Sequence, residues 1–331
     1  MKKTITISAP GKLMLFGEHA VVYGKPCIVT SVNQRISIKA QKNDEPIFVL
    51  NAPDVEINNY SKPLSDLGNG EIPKGAKFVE FAVLNFLEKN KSVIPAIRQL
   101  AEGIQLETVA QFKSTFGFGS SSASAVCTIK ALAELFEIKL TEKEIFDLAY
   151  KTVLDVQGLG SGFDLAAAIY GGTLYFVTGG KTIQPLAISH LPLIVGYTGV
   201  KADTATIVKE VKARFEKYPK LLKNIYDGIA MIVEEAKIAL EKNDLEKVGQ
   251  LMNLNQGYLE TLGVSSEKLS AMIYAARIAG AYGAKLSGAG GGDCMIALAP
   301  SSKRKAIEKA IGKVGGKVLE VEVNTEGVKL T

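Results

Sequence analysis

The chain of 331 residues has few of the side chains that build metal clusters and disulfide frameworks: three cysteines, two histidines and no tryptophan. Cys27, Cys127 and Cys294 lie far apart, each among apolar or small residues. We therefore expect buried thiols in a cytoplasmic protein rather than a disulfide scaffold. With only His19 and His190 available, a zinc site built from histidine and cysteine is not expected.

Long apolar runs are also lacking. No run reaches the ~18 residues that a membrane-spanning helix needs, and residues 1–10 read as a strand rather than as a signal peptide. The net charge is only +5, spread along the chain without a basic block interleaved with aromatics. We therefore predict no membrane partner and no nucleic-acid partner, and a preference for anionic small molecules.

Small residues are concentrated between Thr115 and Ala125 (TFGFGSSSASA), where a strand-like run meets an apolar helix pattern. Backbone N–H groups at a helix N-terminus carry partial positive charge and lack partners, so phosphate is a natural ligand. The serines are alternatively helix caps. The spacing is a poor match to a dinucleotide-binding fingerprint, and the chain has no GxxxxGK[ST] phosphate loop.

Two further motifs lie near the two ends of the chain. Ala9–Gly24 (APGKLMLFGEHAVVYG) places Lys12, Glu18 and His19 beside apolar stretches. Lys285–Met295 (KLSGAGGGDCM) puts four glycines in five positions between two apolar runs. Such a loop suits close approach of the backbone to a ligand or to another loop.

Hydrophobic periodicity predicts an α+β protein of two domains, residues 1–180 and 181–331. The first domain is richer in strands, and the second has helices against a sheet. The predicted strands are 3–8, 12–17, 26–32, 35–40, 104–112, 173–177, about 191–197, the two strands of 283–298, and 318–323. The predicted helices are 78–90, 121–136, one opening at 141, one ending near 157, 164–170, several over 203–277, and 306–313, with a loop at 61–77. Thr141 and Glu144 form a capping box at the start of the helix that opens at 141.

Together the three motifs resemble those of the GHMP small-molecule kinases, over nearly the whole chain and in the expected order. Within that family, the Gly17–Gly24 run, the Gln157–Asp164 segment (QGLGSGFD) with Tyr170–Thr173 (YGGT), and Val195–Lys201 (VGYTGVK) are similar to mevalonate kinases. The resemblance implies a ribosomal protein S5 domain 2-like N-terminal domain and a ferredoxin-like C-terminal domain, with the active site between them.

The resemblance also implies site residues. Those expected at the phosphates of ATP are Gly117, Phe118, Gly119, Ser120, Ser121 and Ser122, with the Ser121 hydroxyl on Mg²⁺. Asp164 matches the catalytic aspartate, which would take the proton of the attacking hydroxyl or hold that hydroxyl in line. Lys12 matches a lysine beside it that would offset charge on the transferring phosphoryl group. The alternatives are a helix N-cap for Asp164 and a surface lysine for Lys12.

Glu18, His19, Thr198 and Gly288 match residues on the substrate side. The implied reaction is phosphorylation of the 5-hydroxyl of (R)-mevalonate by MgATP. A phosphomevalonate kinase, another GHMP kinase, a non-catalytic binder and a nucleic-acid-binding module are the alternatives. The sequence does not decide between a monomer and a homodimer.

Two departures from the family pattern stand out. Val153 occupies the position where the family has a glutamate that binds magnesium. Asp155 is the nearest carboxylate, but an offset of two residues turns a helical side chain by about 200°. Asp155 can replace that glutamate only if the helix starts or bends differently. In the phosphate loop, Lys113 and Thr115 stand where the family has a proline and a further glycine, and we expect Lys113 to be solvated.

Overall fold

The computed structural model describes residues 3–93, 102–188 and 190–331. The strands of this part of the chain are β1 (Thr4–Phe16), β2 (Pro26–Asn43), β3 (Ile47–Ala52), β4 (Ile57–Pro63), β5 (Gly103–Ala110), β6 (Thr173–Val177), β7 (Thr182–Pro185), β8 (Leu193–Tyr197), β9 (Gly283–Ser287), β10 (Cys294–Leu298), β11 (Lys317–Leu319) and β12 (Lys329–Leu330). The helices are α1 (Lys77–Lys89), α2 (Ser120–Leu135), α3 (Glu142–Gln157), α4 (Phe163–Tyr170), α5 (Thr204–Arg214), α6 (Pro219–Glu241), α7 (Leu245–Thr261), α8 (Glu267–Ile278) and α9 (Arg304–Lys313).

The first sheet has eight strands, with the path β12-β1-β2-β5-β3-β4, with β6 added beside β2 and with β7 beside β6. One long strand, β2, organises it by pairing with β1 along most of its length, with β6 near its start and with β5 near its end. The two strands predicted over 26–40 are therefore one. The strand pattern is interrupted at residues 33 and 34 for a physical reason. The register with β1 shifts between Pro10 and Gly11 and leaves Asn33 and Gln34 in a bulge.

Helices α2 and α4 pack against this sheet, α2 directly on β1 and β2, and α1 and α3 pack against α2. The small apolar residues of α2 permit that close approach, since Ala123, Ala125 and Val126 are fully buried. Thr141 caps α3 with the predicted box, its hydroxyl accepting from the Glu144 N–H while the Glu144 carboxylate accepts from the Thr141 N–H. The two helices predicted over 141–157 are a single helix.

The second sheet is antiparallel with the order β11-β8-β10-β9, and α5 to α9 accompany it. Its edge strand β9 is covered by α7. The side chain of Asn253 accepts from the Ala284 N–H at 3.1 Å, and that of Gln256 accepts from the Leu286 N–H at 3.0 Å. These bonds satisfy the open edge of β9 and fix the strand that leads into the glycine loop.

The chain crosses between the sheets more often than a single boundary near residue 180 implies. Strand β7 still pairs with β6, and the C-terminal β12 returns to pair with β1. The last strand predicted, 318–323, is only Lys317–Leu319 in the structure, since the chain then leaves for the first sheet, where Val323 bridges to Val32. Strands β3, β4 and β7 were not predicted, and β4 reaches into the expected loop at 61–77. Within the described ranges, no helix is both long and apolar enough to cross a membrane.

Candidate active site

The small-residue loop of residues 115–125, called the phosphate loop below, lies where α2 begins, directly against β1. The Lys12 N–H donates to the Phe118 carbonyl at 2.9 Å, and the Lys12 ammonium donates to the Gly117 carbonyl at 2.7 Å. Gly117 and Gly119 both have left-handed backbones, with φ of 74° and 76°. The motifs at residues 9–24 and 115–125 therefore meet in space, with the lysine holding the loop through two of its carbonyls.

Asp164 reaches the same loop from the first turn of α4. The Ser122 hydroxyl donates to its Oδ2 at 2.5 Å, and the Leu165 N–H donates to its Oδ1 at 3.1 Å. The residue at the N-cap position of α4 is Gly162, and no side chain caps that helix. The alternative of Asp164 as an N-cap is therefore wrong, and its carboxylate is held at the phosphate loop instead.

Gly119 keeps a gap open between the two charged residues. A Cβ at this position would lie 3.2 Å from Lys12 Cε and 3.6 Å from Asp164 Cβ. Lys12 and Asp164 thus flank one small space at the start of α2, where the helix offers unpaired backbone N–H groups. A cation, a carboxylate and a helix N-terminus around one space suit the transfer of an anionic group between oxygen atoms.

The side chains of the loop differ in what they can contact. Ser121 is exposed and Ser120 is half-buried, whereas Ser122 is buried with its hydroxyl bound to Asp164. The Phe118 ring is buried 5.6 Å from the Phe112 ring and 5.8 Å from the Phe116 ring, which leaves only its backbone for a ligand. The N-cap of α2 is Gly119 without a side-chain cap, so the capping alternative for the serines is wrong. Lys113 is exposed, as predicted.

Asp293, which the sequence did not single out, lies over the phosphate loop. Its Oδ2 is 2.6 Å from the position a Cβ of Gly117 would take, and its Oδ1 accepts from the Ala202 N–H at 2.9 Å. Burial raises the pKa of Asp293, against the nearby positive charge of Lys12. Position 293 falls inside the glycine loop, and a lone aspartate following four glycines was a usable sequence signal.

Thr198 is placed to support that loop. Its hydroxyl donates to the Asp293 carbonyl at 3.0 Å, and its N–H donates to the same carbonyl at 2.9 Å. The hydroxyl is also 3.2 Å from both the N–H and the carbonyl of Val200. In this arrangement Thr198 holds the loop at 198–202 against the glycine loop, and its expected contact with substrate stays a prediction.

A second cluster contains the other candidate residues, Glu18 and His19, at the turn after β1. Both are buried, with exposures of 1% and 4%. The Glu18 carboxylate forms an ion pair with Lys285, which is fully buried, and His19 Nε2 bonds to the Ala289 carbonyl at 2.8 Å. Because Lys285 and Ala289 belong to the third motif, the first and third motifs meet here.

Two polar atoms of this cluster are buried without a hydrogen-bond partner among the described residues: Glu18 Oε2 and His19 Nδ1. Because a carbonyl oxygen only accepts, His19 Nε2 must carry the hydrogen of its bond to Ala289. Burial lowers the pKa of His19, so the ring is neutral and Nδ1 is an acceptor. The cluster therefore presents two acceptors that suit hydroxyl donors of a ligand.

The carboxylate of Asp155 has other partners. Its Oδ2 accepts from the Asn85 side-chain amide at 2.9 Å and from the Lys151 ammonium at 2.6 Å. Val153 is buried, with its Cγ1 2.7 Å from the position a Cβ of Gly160 would take. Helix α3 runs without interruption through both positions, so it does not supply the different start or bend that Asp155 would need.

Comparison with known proteins agrees with this geometry. The family model described as GHMP kinases N terminal domain matches residues 78–172, and the model described as GHMP kinases C terminal matches residues 236–317. The first match contains the phosphate loop and Asp164, and the second contains the glycine loop. The chain is a two-domain kinase of the GHMP fold.

Relatives that match over the full length identify the family within this class of kinases. The chain is 39% identical to a mevalonate kinase of Pyrococcus horikoshii over 100% of this chain and 98% of that protein. It is 30% identical to a mevalonate kinase of Saccharolobus solfataricus over 89% of this chain and 90% of that protein. The chain belongs to the mevalonate kinase family.

Solved structures agree as well. The crystal structure of the Methanococcus jannaschii mevalonate kinase has a TM-score of 0.82 at 25% identity and covers 98% of this chain and 99% of its own. The crystal structure of the L. major mevalonate kinase in complex with R-mevalonate has a TM-score of 0.77 at 28% identity. It covers 98% of this chain and 97% of its own. The predicted two-domain GHMP kinase fold is thereby confirmed.

Proposed function

We propose that this protein transfers the γ-phosphoryl group of MgATP to the 5-hydroxyl of (R)-mevalonate, giving 5-phosphomevalonate and ADP. The observation that carries the proposal is the Asp164 carboxylate, held by Ser122 at the start of α2 and separated from Lys12 by the Cβ-free space at Gly119. The L. major relative was solved with R-mevalonate bound, which supports the choice of acceptor.

The phosphates of ATP would lie at the N-terminus of α2, where the backbone N–H groups of the loop can donate to their oxygens. Gly117 and Gly119 leave the backbone accessible, and the Ser120 and Ser121 hydroxyls can add two donors. The Lys12 ammonium, held by the Gly117 carbonyl, would lie beside the transferring group and offset its negative charge.

Asp164 would accept the hydrogen of the attacking 5-hydroxyl. With Oδ2 bound to Ser122 and Oδ1 to the Leu165 N–H, the carboxylate has a fixed orientation before substrate binds. The attacking oxygen forms its bond to the γ-phosphorus as the bond to the β–γ bridging oxygen of ATP breaks. The hydroxyl proton passes to Asp164 during or after that step. Such a transfer depends mainly on positioning and charge, since a loose transition state needs little covalent assistance.

Magnesium fits this site as an ion that takes most of its ligands from phosphates and waters rather than from the protein. The described residues hold no cluster of three or more carboxylate, histidine or cysteine side chains suited to a metal. Mg²⁺ in kinases is usually held by one or two protein oxygens together with phosphates and waters. The exposed Ser121 hydroxyl and the Asp164 carboxylate are oxygens of that kind beside the phosphate loop. Bound Mg²⁺ would neutralise phosphate charge there.

The buried cluster at Glu18 and His19 is our proposed site for the polar groups of mevalonate. Its two unpartnered acceptors suit a hydroxyl group of the substrate better than its carboxylate. Gly288 adjoins them, and a Cβ there would meet nothing within 4 Å. This open space at Gly288 adjoins the two unpartnered acceptors at the junction of the two sheets.

We also propose a cytoplasmic location, because all three cysteines are buried and unpaired in the structure. The partners of the protein would be small molecules only.

The test is ADP release by the purified protein with MgATP and one of four acceptors: (R)-mevalonate, 5-phosphomevalonate, galactose or homoserine. We expect turnover with mevalonate and background rates with the other three. Turnover with 5-phosphomevalonate instead would contradict the placing of His19 at a hydroxyl. Background rates with all four would contradict the proposed reaction.

A further inference from the structure

The ion pair between Lys285 and Glu18 lies outside the chemistry described so far. Both side chains are fully buried, and the Lys285 ammonium donates to Glu18 Oε1 and to the Leu286 carbonyl, the latter at 2.6 Å. Lys285 belongs to β9 in the second sheet, and Glu18 to the turn after β1 in the first. The pair therefore crosses the junction between the two halves of the protein.

Such a pair is not explained by stability. Removing two charges from water is costly, and apolar residues of similar volume often stabilise a protein as well or better. Burial raises the pKa of Glu18 and lowers that of Lys285, and each charge opposes the effect on its partner. The burial of Lys285 beside the Glu18–His19 cluster therefore requires an explanation other than holding the two sheets together.

Other contacts already hold the two sheets together here. The Met14 N–H donates to the Ser287 hydroxyl at 3.0 Å, and that hydroxyl donates to the Met14 carbonyl at 3.0 Å. These two bonds fix β9 against β1 without any charge. What Lys285 adds is specific to Glu18, because it occupies one carboxylate oxygen and leaves Oε2 unpartnered.

His19 depends on the same loop. Its backbone combines a positive φ of 60° with a ψ of −49°, a conformation that non-glycine residues adopt at a cost. The bond from its ring to the Ala289 carbonyl, four residues beyond Lys285, fixes the direction of that ring. The segment 285–289 thus orients both Glu18 and His19.

We propose that Lys285 is a positioning residue for the acceptor alcohol: it holds the Glu18 carboxylate so that Oε2, together with His19 Nδ1, accepts hydrogen bonds from the hydroxyl groups of the substrate. This inference rests on the proposed function, since it assigns the Glu18–His19 cluster to the acceptor. It extends that function by making a residue of the third motif determine how tightly the alcohol binds.

The experiment compares the wild-type protein with Lys285→Met and with the double variant Glu18→Gln/Lys285→Met. Arg277→Met is the matched control, because Arg277 is half-buried and donates to the Ala284 carbonyl of β9 at 2.7 Å. That control weakens the support of the same strand without touching Glu18. Each variant is assayed for kcat, for KM of the alcohol and of ATP, and for its thermal unfolding midpoint.

We expect Lys285→Met to raise KM for the alcohol at least about tenfold, the size expected for a lost charge-assisted hydrogen bond, with KM for ATP within about twofold. Its unfolding midpoint should fall, because Glu18 is left buried without a counter-charge. The double variant should regain the wild-type unfolding midpoint but keep the raised KM for the alcohol. Arg277→Met should lose stability without a change in KM for the alcohol.

A purely structural role gives a different result. If KM for the alcohol returns to the wild-type value in the double variant together with stability, or never rises in a folded Lys285→Met protein, the inference is overturned. If KM for ATP rises as much as KM for the alcohol, the pair acts on the whole cleft and the inference is again overturned. Failure of the proposed function is seen separately, as absence of mevalonate turnover by the wild-type protein. The variants are then assayed with whichever alcohol of the panel it phosphorylates, and no turnover with any of them overturns both proposals.

Discussion

The Ser122 hydroxyl donates its hydrogen to Asp164 Oδ2 across 2.5 Å, linking the third residue of α2 to the first turn of α4. Ser122 is 4% exposed, so this bond is largely shielded from water. Ser122 is expected at the phosphates of ATP, and its side chain orients the proposed catalytic carboxylate. The phosphate loop and the carboxylate are therefore one unit, and a change in one should be felt in the other.

Asp164→Asn should lower kcat by about a hundredfold or more, within the range for removal of an acid–base group. The amide keeps the shape of the side chain but has neither the charge nor the basicity to take the hydroxyl proton. Steady-state ADP release with saturating mevalonate and MgATP measures the effect. Asp147→Asn is the control, because Asp147 forms an exposed ion pair with Lys143 on α3. Wild-type turnover in Asp164→Asn would remove this residue from the mechanism.

Magnesium dependence separates Ser121 from Asp155. Ser121→Ala should raise the magnesium concentration for half-maximal rate by about tenfold if its hydroxyl is a ligand, since a charge-assisted contact is lost. Asp155→Asn should leave that concentration unchanged, because its carboxylate is bound to Asn85 and Lys151. Magnesium titration at fixed ATP measures both. The opposite pattern would mean that α3 supplies the metal ligand after all.

Much of this arrangement was predictable from the sequence, because it depends on local patterns. The small residues at 115–125 predicted the start of α2, and Thr141 with Glu144 predicted the capping box of α3. The glycine loop between two apolar runs became β9 and β10 joined by a loop. Each of these signals is contained within about a dozen neighbouring residues.

Long-range partners were not predictable. Nothing near Lys285 in the sequence indicates Glu18 as its partner, and nothing near Leu330 indicates that it pairs with Ile7. The bulge at Asn33 and Gln34 interrupts the alternation of β2 and divided one strand into two predictions. Short strands such as β7 carry too few alternating residues for a signal, and only pairing with β6 makes them strands.

The stability of the protein in mild acid should depend on His19. Burial lowers the pKa of His19 below its ordinary value of 6.5, so below that pH the unfolded chain binds a proton that the folded protein resists. The stability contributed by the neutral His19 ring is fully present above the pKa of His19 in the unfolded chain. It is lost as the pH falls towards the lowered pKa of His19 in the folded protein. Unfolding free energy measured by denaturant between about pH 7 and pH 5 should fall more steeply for wild type than for His19→Gln. His190→Gln, at an exposed position, should keep the wild-type slope, and equal slopes for all three proteins would contradict the assignment.

The gap between Lys12 and Asp164 can be tested with two glycines that share a similar positive φ. Gly119 and Gly158 have φ of 76° and 72°, but a Cβ at Gly119 would lie 3.2 Å from Lys12 Cε, whereas a Cβ at Gly158 would meet nothing within 4 Å. Replacing either glycine with alanine should cost about 1–2 kcal/mol of stability, because an L-residue is strained in the left-handed region. Only Gly119→Ala also places a methyl group in the space between Lys12 and Asp164, where we propose that the phosphoryl group is transferred. We expect its kcat to fall about a hundredfold, since small displacements of reacting groups cost that much, while Gly158→Ala remains near wild type. If the two variants lose activity equally, strain alone accounts for the loss, and the space between Lys12 and Asp164 is not where the phosphoryl group is transferred.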